Sequence, residues 1–156
     1  MLESLETTGI ALWLRESPSV WSFPTVLTLH TAGLMVVVGA CWLLDMRLLG
    51  ITRKVPLSAF RWVFSAVAVG LVLNVVTGVL LFIKNATVWG ASIPFFVKMG
   101  LVVGAAATLL PIRSYVLRSS ETQREVSGQA RLLAIASIVV WTAAVIAGRL
   151  LAYLQP

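Results

Sequence analysis

Four long apolar stretches, at about residues 24–49, 58–83, 94–116 and 127–154, constrain this chain more than any motif it contains. A helix rises about 1.5 Å per residue and a hydrocarbon core is about 30 Å thick, so roughly 20 apolar residues cross it. Of the 156 residues, 59% are hydrophobic and 12% charged, about half the charge of a soluble domain. The expectation is all-α: an integral membrane four-helix bundle, a single membrane domain over residues 1–156, with no room for a soluble one.

Ahead of the first span, residues 2–15 place Leu2, Leu5, Gly9 and Leu12 or Trp13 at helical spacing, with Glu3, Glu6 and Thr7 elsewhere on the wheel. That pattern predicts a short amphipathic helix lying on the membrane surface. Ser17, Pro18 and Ser19 end it, Trp21 and Phe23 fall where an interfacial aromatic belt belongs, and Pro24 suits a first helical turn. Because Glu3, Glu6, Arg15 and Glu16 precede any apolar run, no cleavable signal peptide is expected and the first span directs insertion.

Gly50 is placed to stop the first span. In the second, Gly70, Asn74 and Gly78 recur at i, i+4, a narrow stripe on which another helix can approach closely, and Asn74 must find a partner for its amide. Gly100 and Gly104 make a second such face, from which self-association is expected, and Pro111 kinks or ends the third span. The polar segment 113–129 reads as a loop.

The net charge of +6 would point to acidic partners in a soluble chain, but here the basic residues gather at two loops. Arg47, Arg53, Lys54 and Arg61 flank the first, and Arg113, Arg118, Arg124 and Arg131 flank the third; outside the spans the other side has Arg15 and Lys84. By the positive-inside rule both termini face outward, into the periplasm of a bacterium. The basic residues then meet anionic membrane lipids, and nucleic acid is not expected as a partner. Cys41 is the single cysteine and lies in an apolar helix, so no intrachain disulfide forms.

The chemistry-bearing residues are few. Counted inward from the outer ends of their spans, His30, Lys98 and Arg149 lie roughly 6 to 9 Å deep on three different helices, and no acid in any span lies level with them. One reading is structural: Lys98 and Arg149 snorkel to lipid phosphates while His30 bonds a backbone carbonyl, Thr31 or Asn74. The other is that His30, Lys98 and Arg149, with Asn74 nearby, bind a quinone, an anionic lipid or the propionates of a b-type haem. Haem needs a second axial ligand, from Met35, Met99, Lys98 or another subunit. His30, Met35 and Met99 are also a soft set for a monovalent metal ion.

At the other end Asp45 sits in the last turns of its helix, where the dipole disfavours an acid, so it needs a cation. Arg47 at i+2 points elsewhere, leaving Arg61, Arg113 or Arg131, and Asp45, Arg47, Arg61 and Arg131 are expected to form a structural clamp between helices. No nucleophile–base pair, HExxH, phosphate loop or paired intramembrane carboxylates occur, so enzyme activity by this chain alone is not expected. Three functions stay open: a ligand-binding subunit of a larger membrane complex, a small transporter or pore running past Asn74 and Asp45, and a scaffold.

The order LETTGIALWLRES, WSFPTVLTLH, LLDMRLLG, TGVLLF, PFFVKMG and AGRLLAY resembles a family of uncharacterised bacterial four-span inner-membrane proteins over nearly the whole chain. Its most specific pieces land on His30, Asp45, Arg47, Lys98, Gly148 and Arg149. The resemblance implies the four-span fold. The chain is also distantly similar to the membrane domains of copper-resistance D-type proteins, which implies metal handling.

Overall fold

The structure, a computed structural model, describes residues 2–119 and 125–153. They form seven α-helices and one 3-10 turn with no strand: α1 (Leu2–Glu6), α2 (Gly9–Glu16), α3 (Phe23–Leu49), the turn Leu57–Phe60, α4 (Trp62–Lys84), α5 (Ala86–Gly90), α6 (Ile93–Arg118) and α7 (Gly128–Tyr153). Four of these helices are long and apolar enough to cross a membrane, which is the architecture of a multi-pass membrane protein. Two residues of the expected pattern, Arg124 in the third loop and Leu154 at the end of the last span, lie outside the described residues.

The helix ends have local causes. Pro24 stands in the first turn of α3, where its missing N–H costs nothing. At the other end Gly50 adopts φ +95°, the left-handed region, and the Ile51 N–H reaches back to the Met46 carbonyl. A Cβ at Gly50 would also meet Arg53 Nε at 2.8 Å. Pro111 neither ends nor breaks α6, which runs on to Arg118.

The N-terminal segment is two helices rather than the single one its spacing predicts. Thr8 accounts for the break: its hydroxyl donates to the Leu5 carbonyl at 2.7 Å and accepts the Ala11 N–H at 3.4 Å, closing α1 and capping α2. α2 packs on α4 and α1 on α5, and Ala11 and Leu14 are buried. The connection between α4 and α6 carries the one-turn helix α5.

The four long helices pack in the order α4, α3, α7, α6. Their core joins Val37, Cys41, Leu44 and Leu48 of α3 to Val63 and Val67 of α4, Ile112 and Val116 of α6, and Ala134 and Trp141 of α7. This core lies toward the basic end, meaning the end of the first and third loops. Toward the opposite, terminal end packing loosens: on α6 the buried residues are Ala105, Ile112 and Val116, none of them in its first three turns. There α4 and α6 meet through an aromatic group, with the Phe82 and Phe95 rings 5.4 Å apart and Trp89 6.0 Å from Phe95.

Candidate functional site

His30 lies two turns into α3, on the side that faces α4. Two glycines bring those helices together. A Cβ at Gly33 would stand 3.1 Å from the Gly70 carbonyl, and one at Gly70 would stand 3.0 Å from the Gly33 carbonyl. At that separation short polar side chains of α4 reach α3. Asn74 Nδ2 donates to the His30 carbonyl at 2.9 Å, the partner its amide requires. Gly78 makes room for the ring, since a Cβ there would come within 3.3 Å of His30 Cε1.

The ring itself is held by Thr77, whose Oγ1 lies 2.9 Å from His30 Nδ1. Thr77 is buried and its single hydroxyl hydrogen goes to the Leu73 carbonyl at 2.6 Å. With the hydrogen on a carbonyl of its own helix, Leu73 or, at 3.3 Å, Asn74, the oxygen accepts, and the tautomer that fits is the one with the proton on Nδ1. Nε2 is left with a lone pair, and no described residue donates to it. Thr31, offered by the sequence as a partner, bonds Leu27 of its own helix instead. Spacing alone does not mark Thr77, although it falls three residues after Asn74 beside the glycine stripe.

Lys98 on α6 lies across Gly148 of α7, its Cε 3.5 Å from where a Cβ would be. It is half-buried, and its charge is close enough to act on His30. No carboxylate pairs with it among the described residues; Glu6, at the same end, pairs with Arg15 at 3.8 Å. Arg149 is exposed: it is the neighbour, Gly148, that faces Lys98. Met35 and Met99 are 69% and 42% exposed; Met35 stands about 140° around α3 from His30. Among the described residues no three His, Cys, Asp or Glu side chains gather as a metal set.

The clamp expected around Asp45 is not formed. Asp45 is 1% exposed, yet its Oδ2 has no hydrogen-bond partner. Arg47, fully buried, leaves the helix on another side and donates through Nε to the Val55 carbonyl, which the Gly50 turn folds back over it. Arg61 and Arg131 are exposed. Asp45 faces Ser137 of α7 instead, near enough to feel the hydroxyl although no hydrogen bond forms.

The N-terminal helices are fastened at the terminal end, beside the His30 region. Glu6 Oε1 accepts from the Thr87 amide at 2.8 Å and from its hydroxyl at 2.6 Å. These two bonds, the hydroxyl first, hold the Glu6 carboxyl below the usual range. Leu2 packs on Gly90, and Lys84 Nζ sits 3.7 Å above the Phe23 ring. A cavity of about 350 Å³ lies at the basic end instead, lined by Tyr115, Arg118, Ser119, Ser127 and Gln129 among others, and it holds none of the residues around His30. No family model, curated protein or solved structure matches the chain.

Proposed function

We propose that this protein is a bacterial inner-membrane subunit that binds the polar head of a membrane amphiphile, a quinone or an anionic lipid, between His30 and Lys98. The observation that carries this reading is a pair of unfilled valences at one level of the bundle. His30 Nε2 is an acceptor with its ring already fixed by Thr77, and Lys98 is a half-buried cation without a carboxylate. A head group with a hydroxyl for Nε2 and a carbonyl or anionic oxygen for the ammonium meets both needs. An ammonium held inside an apolar bundle is costly unless something neutralises it.

Asn74 and Thr77 serve this site by positioning, since their polar atoms are spent on α3 and on their own helix. The loose packing of the first three turns of α6 gives an amphiphile entry from the side. The gathering of arginine and lysine at the first and third loops supports an orientation with both termini on the outer face, so the ligand enters from the outer leaflet. The resemblance to bacterial four-span proteins supports the same membrane, and Gly100, with nothing within 4 Å, leaves a small-residue face open to a second copy or a larger complex.

The test is an inventory. Protein purified in mild detergent is extracted with solvent, and its quinones and phospholipids are quantified by mass spectrometry beside His30→Ala and Lys98→Met. The expected result is a quinone or acidic lipid enriched in the native protein and lost from both variants. An unchanged inventory contradicts the reading.

A further inference from the structure

Between α3 and α7, toward the basic end and away from His30, several polar atoms are sealed off with their hydrogen-bonding capacity unused. Asp45 Oδ2, Ser137 Oγ and Trp141 Nε1 have no partner, and the three residues are 1%, 0% and 1% exposed. Trp42 Nε1, one turn before Asp45, is in the same state. Buried polar atoms of native proteins are nearly always satisfied, by protein or by ordered water.

The directions of the side chains bring the first three together. Ser137 and Trp141 are one turn apart on one face of α7, and a helical side chain leans toward its own N-terminus, which carries the indole back toward Ser137. α3 runs antiparallel to α7 and packs on it, so Asp45 leans up toward Cys41 and the level of Trp141. Asp45 and Ser137 act on one another without bonding, and the Asp45 charge also reaches Cys41.

The inventory is one acceptor, one donor and one hydroxyl that is either. A single water closes it by taking the Trp141 N–H and the Ser137 O–H and giving a hydrogen to Asp45 Oδ2, which is the usual valence of an internal water. A bare cation does not, because the indole N–H would point its hydrogen at a positive charge. We propose that a water molecule is bound between Asp45, Ser137 and Trp141, a polar joint that fixes how α3 and α7 meet. Apolar surfaces give helices in lipid little preference for one partner or rotation, and such joints supply it.

Radiolytic hydroxyl-radical footprinting of the full chain in detergent reads this directly, since a bound water generates radicals beside buried residues. Trp141 is expected to be oxidised at a rate comparable to that of the exposed Trp62 despite its burial, and several-fold less in Ser137→Ala and in Asp45→Leu. Should Asp45→Leu not fold, Ser137→Ala, which removes one oxygen, carries the comparison alone. A silent Trp141 in the native protein overturns the proposal, as does labelling that the variants leave unchanged. Suppression of Trp141 labelling by sodium or potassium at constant ionic strength also overturns it, because the site then holds a cation.

Discussion

His30 Nδ1 and Thr77 Oγ1 stand 2.9 Å apart across the α3–α4 interface, and the direction of that bond is set by a third atom, the Leu73 carbonyl, which takes the Thr77 hydroxyl hydrogen at 2.6 Å. Thr77→Val keeps the shape of the side chain and removes the acceptor. It is expected to lower stability in thermal unfolding by roughly 0.5–1.5 kcal/mol and to loosen ligand binding. Thr77→Ser restores both.

The Gly33–Gly70 crossing is the precondition for every polar contact between α3 and α4. Gly33→Ala places a Cβ 2.9 Å from Asn74 Nδ2 and 3.1 Å from the Gly70 carbonyl, so the helices must part. The expected loss is about 1–3 kcal/mol, read by thermal unfolding in detergent. Gly39→Ala and Gly100→Ala, at helical positions with nothing within 4 Å, are expected to leave stability unchanged or slightly raised.

The attachment of α1 through Glu6 depends on pH with a definite sign. Hydrogen bonds from Thr87, its hydroxyl before its amide, lower the carboxyl below its ordinary value of about 4.3. A lowered folded-state value means that the stabilisation is complete above the ordinary value and fades as pH falls through the folded one. Hydrogen exchange of the α1 and α2 amides is therefore expected to speed up, relative to the long helices, as pH falls through the lowered Glu6 value, and Glu6→Gln removes that dependence.

Because Asp45 is not clamped by arginine, Arg61→Gln and Arg131→Gln are expected to change stability by less than about 0.5 kcal/mol, as for other exposed positions. A large loss from either in thermal unfolding would restore the ion-pair reading of Asp45.

The sequence shows the four long helices to within a few residues, because stretches of about 20 apolar residues have no other stable form in a membrane. Pro24 and Gly50 mark the ends of α3 for reasons that are purely local. The azimuth of side chains is what it hides. Counting residues from the helix ends gives the depth of His30, Lys98 and Arg149 but not their rotation, and Arg149 turns outward while Gly148, about 100° away, receives Lys98. Likewise a buried acid announces that it needs a partner without saying which helix packs beside it. The order α4, α3, α7, α6 sets Asp45 against Ser137 and leaves Arg61 and Arg131 on outer faces. Thr8 and Thr77 act through single hydroxyls, too local a signal for hydrophobic periodicity to carry.

The most direct measurement uses the fact that the chain has one histidine, so that ¹⁵N-labelled histidine gives a single pair of ring signals. In the purified protein Nδ1 is expected to be protonated and Nε2 bare. A short-chain quinol or an anionic phospholipid, titrated separately, should move Nε2 and leave Nδ1 in place, with no such shift in Lys98→Met. If Nε2 answers to neither compound, the ligand site at His30 and Lys98 does not exist.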